Sequence, residues 1–290
     1  MNLWEGLTEF CHTIEHTFLN FGLAAYILVL LPLLKYRQTE FNHPFHKLCI
    51  SLAFFDLWGI GNKFLEPIAY ALWHPNELWA KVYGFCIMSV WFGVMFHQLL
   101  IAVNRFLAIV WPHKELKVFS SENMKILLPA TWIVAVGMNL ICLTDTYALG
   151  YAPTVNYGYN MSNPNVLLLL LMRDMVLQGL IYSFIIILYL IIVAYIWKVH
   201  NQVHQIGASA SRSAEIRLLI QAILVSLPQA FVTFCYYYLA FSSQPAPFVM
   251  KLVRLSDHLY NSINPFVYFI FASNIRENSI KYYLPHYKKA

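Results

Sequence analysis

Charge is what this chain has least of. Only 11% of its 290 residues are Asp, Glu, Lys or Arg, where a soluble domain carries about 25%. With 59% hydrophobic residues and a mean hydropathy of +0.56, the chain cannot cover a water-facing surface, so a lipid bilayer is its expected solvent. The first sixteen residues hold Glu5, Glu9 and Glu15 but no Lys or Arg. That is the wrong flank for a cleavable signal peptide, and the first apolar stretch is expected to stay as a membrane span. Cys11, Cys49, Cys86, Cys142 and Cys235 show no metal-ligand spacing. No His-x-x-x-His run falls inside an expected span, and His43/His46 and His200/His204 lack matching acidic ligands. Neither a metal centre nor a cofactor is expected, and an enzyme is disfavoured. No internal repeat is visible, which removes the usual support for a transporter built from inverted halves. The net charge of +5 is spread over loops, which excludes nucleic acid as a partner.

Long apolar runs are present instead. A bilayer core needs about 20 residues of apolar helix. Seven stretches qualify, at about Thr17–Leu34, Phe45–Trp73, Trp79–Val110, Met124–Leu143, Val166–Lys198, Ile216–Phe241 and Phe248–Phe271, the second with a break expected near Pro67. Asn274–Leu284 reads as a short amphipathic eighth helix along the inner interface. The expected fold is an all-α membrane protein, with residues 1–16 extracellular, 17–272 forming a seven-helix bundle and 273–290 a cytoplasmic tail. Orientation comes from Lys and Arg in short loops. Most of the nineteen basic residues, among them Lys35, Arg37, Lys114, Lys117, Arg212 and Arg276, fall on one side, which is therefore cytoplasmic. Seven spans then put the N-terminus outside. Asn160-Met161-Ser162 lies in an outer loop, making Asn160 a candidate glycosylation site.

Three polar constellations stand out from the apolar background. Asp56 sits mid-span in Leu52-Ala53-Phe54-Phe55-Asp56. An ionised carboxylate there costs about 3 kcal/mol or more, so such residues face the bundle and act; the bland alternative is a neutral Asp satisfied by hydroxyls and amides. Arg105 lies at the inner end of the third span in Asn104-Arg105-Phe106, with Pro112 seven residues on. It cannot be deprotonated, so it needs water or a partner, and simple snorkelling is the alternative. Asn264-Pro265-Phe266-Val267-Tyr268 closes the seventh span. Pro265 removes a backbone donor, which predicts a kink whose freed carbonyls Asn264 can engage.

These runs together resemble the signature of rhodopsin-like G-protein-coupled receptors, where Asp-Arg-Tyr closes helix three and Asn-Pro-x-x-Tyr closes helix seven. The resemblance implies that Asp56 binds sodium and communicates with Asn264, and that Arg105 is restrained at rest and released toward a heterotrimeric G protein. Trp132 matches the family's lone helix-four Trp, and Pro228 its helix-six Pro. The chain departs at Asn104 (Asp in the family), Phe106 (Tyr) and Ser226 (Trp), and its fifth span has no Pro. Without an acid at position 104, weaker restraint of Arg105 and high basal activity are expected. Trp91 or Phe231 are candidates for the missing aromatic switch. His258 stands where opsins carry their Schiff-base Lys and Ile87 where amine receptors carry Asp, so neither light nor an amine is favoured.

An unidentified small-molecule ligand is expected between the outer helix halves, in a largely apolar cavity with a few polar groups. The candidates are Trp91, Arg173, Asp174, Gln178, Gln229, Tyr236, Arg254, Asp257 and His258, with interhelical packing as the alternative for each. The family's outer disulfide has only Cys86 and Cys142 as candidates, although Cys86 is deeper than usual. Asn-Arg-Phe in this setting is similar to the nematode serpentine chemoreceptors (classes v, x or t), which implies sensing of environmental molecules or pheromones. The inner loop of about Val199–Glu215 reads as a flexible Ser/Ala linker. The competing reading is a transporter or channel using Asp56, Glu66, Asp174 and Asp257 as an ion path.

Overall fold

The structure is a computed structural model that describes residues 3–39, 41–72, 77–145, 149–150, 158–159, 164–203, 209–241, 255–256, 259–271 and 273–283. Lipid offers no hydrogen bonds to a backbone, so apolar runs must close their own as helices. The helices are α1 (Leu3–Lys35), α2 (Pro44–Leu72), α3 (Glu77–Val110), α4 (Pro112–Val118), α5 (Ser121–Gly137), α6 (Pro164–Leu169), α7 (Gln178–Val203), α8 (Ser209–Phe241), α9 (Asn264–Phe271) and α10 (Ser273–Tyr283). A 3-10 turn, Leu140–Leu143, follows α5, and a π-helical segment, Leu170–Leu177, joins α6 to α7. Leu149–Gly150 and Gly158–Tyr159 pair as a two-residue antiparallel hairpin, β1 and β2.

Among the described residues, five stretches are long and apolar enough to cross a bilayer: Thr17–Lys35, Pro44–Leu65, Lys81–Val110, Ser121–Leu143 and Met172–Lys198. The shorter apolar run Leu219–Cys235 within α8 takes the sixth place, and α9 is the end of the seventh. The third span is central, 61% buried against 22% for the fourth. Large apolar side chains such as Ile126, Ile133, Leu180, Leu190 and Phe234 point outward, as lipid allows.

Several boundaries differ from expectation. α1 starts at Leu3 rather than Thr17, because no proline interrupts the run before Pro32. α2 continues to Leu72 without the break expected near Pro67. The fourth span stops being α-helical at Gly137, a poor helix former, and finishes in 3-10 geometry. The inner loop is mostly helix, since α7 reaches Val203 and α8 starts at Ser209. α10 follows α9 where the eighth helix was expected, burying Ile275 and Ser279 one turn apart. It is pinned to α1 by the Tyr283 hydroxyl, which donates to the Ile27 carbonyl at 3.1 Å, and by Lys35 over the Tyr282 ring at 4.8 Å.

Among the described glycines, Gly93 marks the closest approach of neighbouring helices, between α2 and α3. A Cβ on Gly93 would collide with Phe55 Cε1. The Phe55 ring cannot retreat, being stacked on Trp132 at 3.8 Å and set against His97 at 5.2 Å. Gly93→Ala is therefore expected to cost about 1–3 kcal/mol by overpacking. It should lower the thermal midpoint of the detergent-solubilised protein; an unchanged midpoint would show that α2 and α3 have room to part.

Candidate functional site

Asp56 is fully buried on the α2 face that also carries Leu52 and Cys49, one and two turns earlier. Its Oδ2 accepts from the Tyr26 hydroxyl of α1 at 2.5 Å and from Asn264 Nδ2 of α9 at 2.7 Å. One carboxylate oxygen thus ties three spans together. The chain bends at Ile263, just before Asn264. Pro265 falls in the first turn of α9, where a missing N–H costs nothing. Among the described residues, Asp56 Oδ1, Asn264 Oδ1 and both amide atoms of the fully buried Asn261 have no hydrogen-bond partner. These oxygens have the chemistry to hold a small cation or water. Sequence reading picked out Asp56 and Asn264 but missed Tyr26, whose hydroxyl in an apolar run is the only hint.

At the other end of α3, Arg105 is 4% exposed, with its guanidinium over the Phe45 ring at 4.0 Å. Its Nη2 donates to Asn104 Oδ1 at 2.8 Å, and Asn104 Nδ2 donates to Glu115 Oε1 at 2.9 Å. Glu115 lies on α4, a helix the sequence reading did not foresee, which opens with Pro112 in the first position that proline favours. Position 104 is an amide, as the sequence has it, and the carboxylate that meets this amide comes from Glu115, eleven residues further on. His43 completes this end. Burial, aided by the Arg105 and Lys47 charges and opposed by Glu115, pushes its imidazole below the usual value of 6.5. Phe106 turns to Trp111, edge to face at 5.2 Å. Tyr268 is buried, with Cys49 and Tyr189 among its neighbours.

About 20 Å along α3 from Arg105, a second cluster centres on Trp91. Its indole N–H donates to Gln178 Oε1 at 3.0 Å, its carbonyl accepts from Gln229 Nε2 at 3.0 Å, and its ring meets Tyr260 edge to face at 5.4 Å. Lys63 Nζ lies over the same Tyr260 ring at 5.2 Å. Four spans therefore converge on Trp91. Nearby, Arg173 and Asp174 form a buried ion pair, Nε to Oδ1 at 2.6 Å and Nη2 to Oδ2 at 3.2 Å. Arg173 Nη1 also donates to Asn139 Oδ1 at 3.1 Å, and the guanidinium stands 5.3 Å from the Phe92 ring centre. Both charges sit in the π segment, whose wider turns bring consecutive side chains toward one face. Tyr260, Lys63 and Asn139 were missed. Arg254, Asp257, His258 and Asn160 lie outside the described residues, as does the Tyr236 side chain.

Between the clusters α8 is fastened to α3. Gln98 Nε2 donates to the Val225 carbonyl at 3.1 Å, within the turn that Pro228 leaves short of a donor. Phe231 is 46% exposed and faces outward, which removes it as the substitute aromatic switch; Trp91 is buried. Trp132 Nε1 donates to Ser51 Oγ at 3.0 Å, an oxygen shared with His97 Nε2 at 2.8 Å. The candidate Cys86–Cys142 bond is absent: both are free thiols. Cys142 is turned into the bundle, its sulfur 3.9 Å from Arg173 Nη1, while Cys86 faces Trp58.

A family model described as "Serpentine type 7TM GPCR chemoreceptor Srv" matches residues 17–283. Melatonin receptor type 1B-A of Danio rerio is 25% identical over 147 residues, which is 47% of this chain and 50% of that receptor. The chain thus aligns with about half the length of that relative.

Proposed function

The chain belongs to the Srv family of serpentine seven-transmembrane G-protein-coupled chemoreceptors, and on that footing we propose that it is a chemosensory receptor of the plasma membrane that catalyses nothing itself. In this reading residues 1–16 face outward, 17–272 form the receptor domain, and 273–290 lie at the cytoplasmic face. A small molecule binds at the Trp91 layer and a heterotrimeric G protein at the Arg105 end. The observation that carries the reading is the fastening of α8 to α3 at two levels, Gln229 to the Trp91 carbonyl and Gln98 to the Val225 carbonyl, on either side of Pro228. Pro228 supplies a weak point in α8. A ligand that prefers the state with these clamps open shifts the population toward it, and the Arg105 end opens. Sodium at Asp56 and Asn264 belongs to the resting state.

The described groups of the Trp91 layer also suggest the ligand's chemistry. Gln229 Oε1, Ser89 Oγ and Thr233 Oγ1 are buried and without partners, and Arg173 is paired with Asp174. Uncharged hydrogen-bonding groups on an apolar body suit these partners best. The transporter reading is weakened by the same facts, since Asp174 is neutralised by Arg173 and Asp56 is held by Tyr26 and Asn264.

The test is guanine-nucleotide exchange in membranes bearing the receptor, over a panel of small alcohols, ketones, lactones and amides set against carboxylates and amines. An uncharged compound should raise exchange, and Thr233→Val, which removes a ligand-facing hydroxyl and leaves both clamps in place, should shift its half-maximal concentration upward by about tenfold, the value of one buried hydrogen bond. Activation by charged compounds alone, or an unshifted response in the variant, would place the ligand elsewhere.

A further inference from the structure

We propose that Glu115 is a positioning residue for Arg105, acting through Asn104 as the latch that holds the receptor at rest; this rests on the receptor reading above. A primary amide accepts with one end and donates with the other. Asn104 uses both ends here, its oxygen toward the Arg105 guanidinium and its nitrogen toward the Glu115 carboxylate, at 2.8 and 2.9 Å. Asn104 is fully buried, and Arg105 and Glu115 are each 4% exposed. A buried guanidinium and carboxylate with no connection would each carry a large desolvation penalty; the amide joins them into one neutral, charge-assisted chain. Around this chain, among the described residues, stand the Phe45 ring on Arg105, the His43 imidazole, which feels both charges, and His46, Cys49 and Tyr189 near the guanidinium.

The chain crosses a junction that a receptor must move. Arg105 and Asn104 end α3, while Glu115 belongs to α4, the seven-residue helix leading to α5. Displacement of α4 by a docking partner would draw Glu115 from Asn104, leave the amide without its acceptor and free Arg105. Restraint is thereby made conditional on the position of α4, which an acid at position 104 itself could not do.

The chemistry allows a reciprocal test. Glu115→Gln keeps an acceptor for Asn104 but removes the charge, so the charge-assisted bond becomes a neutral one. It should raise basal nucleotide exchange about fivefold, the difference between a charged and a neutral hydrogen bond. It should also speed modification of Arg105 by phenylglyoxal, read by mass spectrometry. Combining Glu115→Gln with Asn104→Asp exchanges amide and acid: the residue-115 amide donates to the residue-104 carboxylate, which accepts from Arg105. Both readouts should return toward wild type. If Glu115→Gln does not reach the membrane, Asn104→Ala cuts the same chain and carries the same expectation. Wild-type Arg105 reactivity in the broken chains would overturn the latch, as would a double variant no better than the single one. If reactivity follows the pattern but no chain promotes exchange, the latch stands and G-protein coupling fails.

Discussion

Alanine at position 56 is expected to yield a protein that is less stable and deaf to ligand. The Asp56 Oδ2 atom is the shared acceptor for Tyr26 on α1 and Asn264 on α9. Its removal strands two buried donors, each at about 1–3 kcal/mol, and leaves a void besides. For a domain of this size each kcal/mol is worth about 2–4 °C in Tm, so a fall of roughly 5–15 °C is expected in detergent. The concentration–response curve should flatten because the three spans no longer move as one. Asp56→Asn separates the two effects. It retains an acceptor for the stranded donors, so stability should recover, but it lacks the charge to hold sodium, so any salt-dependent shift in ligand affinity should vanish. An alanine variant with wild-type Tm and response would show that the network is incidental to signalling.

The parts of this site that were legible in the sequence are those the bilayer makes expensive. Asp56, Arg105 and Asn264 stand out because polar groups in a span need partners, and the structure supplies partners for each. Trp132 was legible by its place and is found bonded to Ser51. What escaped notice depends on local geometry that hydropathy does not encode. Hydropathy does not show that Leu170–Leu177 is a π segment, in which Arg173 and Asp174 pair with each other. Glu115 carries no motif that marks it; only the helical turn started at Pro112 brings it to Asn104. Gln98 and Tyr260 are unremarkable in composition and matter through what lies across the bundle. The cysteine pairing failed because Cys142 follows a 3-10 turn into the interior, beside Arg173.

The most direct measurement is guanine-nucleotide exchange on a panel of G proteins, in membranes carrying either the wild-type chain or Arg105→Ala at matched surface levels. Arg105 contributes charge and a guanidinium stacked on Phe45, and among the described residues it donates to Asn104 of its own helix and to no other span. The variant should therefore fold and reach the surface. With α8 free to open and no guanidinium behind it, the cleft has lost its one buried cation among the described residues of that end. A receptor that couples through Arg105 loses both basal and ligand-driven exchange in the variant, by about tenfold or more if a single charged contact is lost. Equal exchange from both chains would contradict coupling through Arg105.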